Sequence, residues 1–147
     1  MIDKPFGKTE TVAGATDEFP YPEGRVVAIV EDLEHLEGAV AGLLTAQFLD
    51  SEIDVVHGTA AADKITESTG RGGLANIAMR FAARIGLPND EMLMRRRYEE
   101  ALRLGKFVVA VLTPTSERKV LASQVLVDNG GSFIHYFGAS TFEVMSL

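Results

Sequence analysis

Lys106-Phe-Val-Val-Ala-Val-Leu-Thr113 is apolar at every inner position, with Phe107, Val109 and Val111 on one parity and Val108, Ala110 and Leu112 on the other. Successive residues of a strand point to opposite faces, so a sheet with one face in water alternates apolar and polar side chains. This run does not alternate, and it reads as a strand covered on both sides. Arg25-Val-Val-Ala-Ile-Val30 is a second run of the same kind, short, continuous and rich in β-branched residues.

Each run opens a similar unit. After the first, Leu33, Leu36, Val40, Leu43, Leu44 and Phe48 recur at three- and four-residue steps, which predicts an amphipathic helix from Leu33 to Leu49 with Asp32 as its N-cap. A strand from Ile53 to Gly58 follows. After the second run come a helix from Ser116 to Asn129, closed by Gly130-Gly131, and a strand from Ser132 to Phe137. Both closing strands carry a histidine, His57 and His135. Two such β-α-β units together predict an α+β fold of the ferredoxin-like sandwich type, with a four-stranded antiparallel sheet in the order 4-1-3-2 and helices packed on it.

A helical insert, at about residues 59–105, joins the two units. Thr59 to Thr69 reads as helix. After Gly70-Arg-Gly-Gly73, the residues Leu74, Ile77, Phe81 and Ile85 fall on one helical face and Asn76, Arg80 and Arg84 on another, with Gly86 and Pro88 as the stop. A further helix begins near Asn89 or Asp90 and turns Met94, Tyr98, Ala101 and Leu102 inward. This insert, or a second subunit, is expected to cover the second face of the sheet. Residues 1–24 contain Pro5, Pro20 and Pro22 and no hydrophobic period, so they read as a flexible or loosely docked arm in front of a single domain, 25–147.

A chain of 147 residues is long enough to bury a sizeable core without staples. Its composition, 46% hydrophobic against 24% charged, places it among globular proteins rather than disordered or fibrous ones. The absence of cysteine excludes disulfides, thiolate nucleophiles, iron–sulfur clusters and Cys-built zinc sites. No stretch reaches the apolar length of a membrane helix and no secretory signal is evident, so a cytoplasmic protein is expected. The net charge of −7 argues against nucleic acid and anionic membranes as partners. That charge is uneven: residues 25–68 carry −7, whereas residues 69–107 carry +4.

Ser68-Thr-Gly-Arg-Gly-Gly73 stands before the expected helix that carries Leu74 to Ile85. There the backbone N–H groups of Gly72 and Gly73, with Arg71, would suit a small phosphate or carboxylate, although the stretch lacks the Lys and Ser/Thr of a P-loop. Arg95-Arg-Arg97 is the one basic run, and Glu99 and Glu100 four residues on would neutralise it as a solvated face. His57 and His135 belong on opposite edges of a 4-1-3-2 sheet, too far apart to share a metal. His135 and Tyr136 would line a pocket at a subunit or insert boundary, where a histidine beside a phenol can move protons. His35, among Glu31, Glu34 and Glu37, reads as solvated. No metal or cofactor is expected.

Gly86-Leu-Pro-Asn-Asp-Glu91 and Tyr98-Glu-Glu-Ala-Leu-Arg-Leu-Gly105-Lys-Phe-Val-Val-Ala-Val111, together with the strand-helix-strand units around them, resemble the general stress protein 17M-like family of small bacterial proteins. The resemblance spans roughly residues 25–138. It implies a ferredoxin-like domain in a cytoplasmic protein linked to general stress, and it brings no catalytic constellation. The expectation is a self-associating binding or structural module, more a homo-oligomer than an enzyme. Two alternatives stand beside it: a sensor that binds an anionic ligand at Gly70 to Gly73, and a small enzyme built on His135, Tyr136 and an insert arginine.

Overall fold

In a computed structural model of the chain, residues 18–68, 72–88, 91–139 and 141–146 are described. Among them the fold is α+β, with four helices and a mixed six-stranded sheet. In chain order the elements are β1 (Glu18–Phe19), β2 (Arg25–Val30), α1 (Leu33–Thr45), β3 (Ile53–His57), α2 (Ala62–Ser68), β4 (Ala78–Phe81), β5 (Arg84–Ile85), α3 (Met92–Arg103), β6 (Phe107–Leu112), α4 (Ser116–Asp128), β7 (Ser132–Phe137) and β8 (Phe142–Ser146). The large sheet runs β4-β3-β6-β2-β7-β8, and β1 pairs with β5 in a separate two-stranded ribbon. Every pairing in the large sheet is antiparallel except β3 with β4. None of these helices is long and apolar enough to cross a membrane.

The alternation of β2 and β6 sorts the core into two layers. Val26, Ala28, Val30, Phe107, Val109 and Val111 face α1 and α4, where Leu36, Val40, Leu43, Ala122 and Leu126 meet them. Val27, Ile29, Val108 and Ala110 face the other way, against Met94, Tyr98, Ala101 and Leu102 of α3. The insert therefore supplies the second cover, through one helix. α1 begins where Asp32 accepts the His35 N–H at 2.9 Å. α4 begins in the same way, with Thr115 accepting the Arg118 N–H at 3.1 Å. α4 ends at Gly130, whose φ of +84° is the left-handed turn that glycine takes without strain.

Several expectations change. The stretch from Leu74 to Ile85 is not a helix: Gly72–Asn76 is a 3-10 turn, followed by β4 and β5. Its apolar residues serve different layers, Leu74 and Ile77 the α1 side and Ile85 the α3 side, while Phe81 is exposed. Their helix-like spacing arises from a turn and two short strands that happen to repeat at three and four residues. The sheet has six strands rather than four, because β4 and β8 lie outside β3 and β7. Residues 18–24, the described end of the segment read as a flexible or loosely docked arm, pack against the domain. Phe19 packs in the α3 layer at 6% exposure and accepts the Gly86 N–H, and the Tyr21 hydroxyl donates to Gly138 O. Residues 1–17 lie outside the described part.

Candidate functional site

Among the described residues, those singled out by their chemistry do not assemble into one site. Arg71 lies outside the described residues. Gly72 and Gly73 open the five-residue 3-10 turn, so the longer helix whose dipole would have held an anion is not formed there. His57 and His135 sit on β3 and β7, with β6 and β2 between them, which puts about 14 Å between the two strands. His35 is on the exposed start of α1, its Nδ1 2.7 Å from Asp32 Oδ1, and the Asp32 carboxylate raises its pKa. No group of three or more potential metal ligands occurs among the described residues.

His135 and Tyr136 are neighbours on β7 and so point to opposite faces. Tyr136 turns toward the α4 layer, where the Lys119 ammonium lies 4.3 Å from its ring centre and 2.7 Å from Glu143 Oε1. His135 turns toward the α3 side, only 3% exposed, among the rings of Phe133, Phe137 and Phe142. The two side chains therefore do not share a face of the sheet, and β7 is not an edge strand, because β8 pairs along it.

The arginines of the insert, read as a solvated face rather than a basic patch, are dispersed as well. Arg95 donates to the Leu87 and Pro88 carbonyls and ties down the approach to α3. Arg97 stands over the Phe133 ring, its guanidinium carbon 4.6 Å from the centroid. Arg103 pairs with Glu100. Arg80 reaches across to Asp54, at 2.9 Å, with Arg25 at 3.9 Å from the other oxygen, so this nearly buried carboxylate is held between two cations. The acidic residues of α1 and the arginines of α3 lie on opposite faces of the sheet and do not meet within the chain.

What the fold does assemble is a groove on the α3 side of β7 and β8. Its volume is about 400 Å³, and Glu91, Leu93, Met94, Arg97, Phe133 and Phe142 line it. Two backbone features aim the lining. β7 slips its register against β2 between Val27 and Ile29, and Phe133, in that bulge, has a φ of +53°. A left-handed aromatic residue is uncommon and is held in place by its surroundings. Here Tyr98 meets the Phe133 ring edge-on at 5.2 Å, and its hydroxyl points at the Phe133 carbonyl, 3.4 Å away.

Buried below this groove, His135 places Nδ1 3.1 Å from the Phe133 carbonyl. A carbonyl only accepts, so Nδ1 carries the proton and Nε2 does not. Burial lowers the His135 pKa, the Phe133 carbonyl opposes that, and nearby Arg97 adds to the lowering. A histidine kept neutral in the fold but free to protonate when unfolded costs stability as pH falls below its unfolded value of about 6.5. Urea unfolding between pH 7 and pH 5 should therefore show a loss of stability that is shallower in His135→Phe than in the wild type. Parallel slopes would contradict this account of the burial.

Leu93, Phe133 and Phe142 carry no chemical signature in the sequence, and only their convergence makes them a site. Phe142-Glu-Val144 alternates in the way a strand does, and those three residues were the available signal for β8. No protein-family model, curated protein or solved structure gives a significant match to this chain.

Proposed function

We propose that the protein is a non-enzymatic binding or structural module that works by self-association, cytoplasmic and linked to general stress as its resemblance to the general stress protein 17M-like family implies. We read its core as the ferredoxin-like sandwich. On this reading β2-α1-β3 and β6-α4-β7 are the two β-α-β units, and the run β3-β6-β2-β7 corresponds to the order 4-1-3-2 taken from the other edge. β4 and β8 then extend the two edges, and the insert folds over the second face.

One observation carries the functional reading. The groove opens beside a surface that is apolar where a free monomer would ordinarily be polar: Leu93, Phe142 and Val144 are all exposed next to one another on α3 and β8. Contiguous exposed apolar area of this kind marks a surface that binds something. Two charged residues, Glu91 and Arg97, share the lining with these apolar side chains. Light scattering at rising concentration tests the reading. The expected mass exceeds the 15.9 kDa of one chain, and a constant 15.9 kDa would refute self-association.

A further inference from the structure

We infer that β8 is the self-association strand: two copies pair their β8 edges antiparallel about a twofold axis at Val144, joining two six-stranded sheets into one of twelve. The inference rests on the self-association reading and adds which surface does it and in what register.

The outer side of β8 meets no other strand among the described residues. Such an edge is a row of unused N–H and C=O groups, which proteins ordinarily shield with lysine, proline or a bulge. Phe142-Glu-Val-Met-Ser146 contains neither lysine nor proline, and its one irregularity, a register shift against β7 that skips Met145, leaves Phe142, Glu143 and Val144 in regular pairing with Phe137, Tyr136 and His135. The opposite edge is different: β4 is shorter and carries Arg80, a charge held beside the sheet by Asp54.

Apolar side chains flank the β8 edge on both faces. On the α3 side Phe142 and Val144 are 42% and 52% exposed, and Leu93 stands beyond them. On the other side lies α4, anchored to β8 by Lys119 and Glu143. Val120 and Val127 are seven residues apart and so on one side of α4, and they are 60% and 43% exposed. A five-residue ladder is too small for a stable interface of about 1,600 Å². The flanking apolar residues of α3 and α4 enlarge it.

Charge argues against the register centred on Glu143. An axis at Glu143 would set the two Glu143 carboxylates directly opposite each other, which is destabilising. An axis at Val144 sets Val144 against Val144 of the partner subunit and Glu143 against Met145 of the partner subunit. The Lys119–Glu143 pair then stays within each chain. An antiparallel edge pairs with itself under a twofold axis, and that closes the assembly at two copies.

The chain has no cysteine, so an introduced thiol reports the contact without background. Residues directly opposite in an antiparallel pair have Cα atoms about 4.5–5.5 Å apart, within reach of a disulfide. Under mild oxidation of the full chain, Val144→Cys should cross-link to a dimer, whereas Glu143→Cys and Phe81→Cys should not. Light scattering should give the wild type twice 15.9 kDa. Val144→Lys, at an exposed position, should fold with unchanged circular dichroism and raise the dimer dissociation constant at least tenfold. Leu49→Lys, also exposed but on the loop after α1, should leave it unchanged. A dimer that Val144→Lys does not weaken, or one that cross-links as readily through Phe81→Cys, overturns the β8 assignment and leaves self-association standing. A wild-type chain that stays at 15.9 kDa overturns both.

Discussion

Replacing Tyr98 with alanine is expected to lower the unfolding free energy by about 4 kcal/mol, the upper range for removing a large buried aromatic ring. Tyr98 is fully buried and stands at the centre of the second layer, edge-on to Phe133 and tilted against Phe137 at 6.3 Å. Its removal leaves a cavity between α3 and β7, where rigid strands on one side and a single helix on the other limit collapse. Burial pushes the phenol well above its ordinary pKa, so the hydroxyl is a neutral donor at any working pH. That donor reaches the Phe133 carbonyl only at 3.4 Å, a long bond. Tyr98→Phe should therefore cost within about 1 kcal/mol. Urea denaturation of both variants measures the difference, and an alanine variant that loses less than about 2 kcal/mol would show that α3 is not anchored through this ring.

The second large effect is expected on the other face, from Gly42→Val, at about 3 kcal/mol. α1 and α4 approach each other at Gly38 and Gly42. A Cβ on Gly42 would lie 2.9 Å from Val125 Cγ1 and 3.2 Å from Asn129 Nδ2, and one on Gly38 would lie 2.8 Å from Asn129 Oδ1. Val125 is β-branched and within a helix, where its χ1 has one strongly preferred setting, so it cannot swing aside. Asn129 is held too, its amide donating to the Val125 carbonyl at 2.9 Å. The helices must then separate and lose contacts along Val40, Leu43, Ala122 and Leu126. Gly42→Ala should be milder, because alanine favours a helix interior over glycine by about 1 kcal/mol and offsets part of the clash. Thermal or urea unfolding ranks the two, and a valine variant as stable as the wild type would mean that the helices are not in close contact at this point.

The parts of the fold legible in the sequence are those whose period spans the whole element. β2 and β6 are apolar on both parities and are covered on both sides as that pattern requires. Asp32 caps α1, and Met94, Tyr98, Ala101 and Leu102 face inward from α3, because a helix several turns long repeats its pattern often enough to be read. Leu74 to Ile85 failed for the opposite reason: two short strands and a turn give too few repeats to separate a period of two from one of 3.6. Phe19 showed no pattern at all, since its burial is decided by the distant residues Ile85 and Phe137.

The candidate site was less legible than the fold. His135 and Tyr136 drew notice as adjacent titratable groups, but adjacency in a strand separates side chains. The groove draws Leu93 and Arg97 from a helix, Phe133 from a bulge and Phe142 from the outermost strand. Their meeting depends on where α3 crosses the sheet, and the sequence of no single element encodes that crossing.

The order of strands in the sheet also has a consequence for the newly made chain. β2 has no partner in the first half of the sequence, because β3 is separated from it by β6, and its two neighbours are β6 and β7. The ribosome must add residues 31–107 before even the first residue of β6 exists. At about 5–20 residues per second that is a wait of roughly 4–15 s. Throughout it Val26 to Val30 is an unpaired apolar strand, with α1 its only local cover. Biosynthesis thus passes through an interval in which this segment is open to aggregation or to capture by a chaperone, and the interval ends only when the second half of the chain emerges.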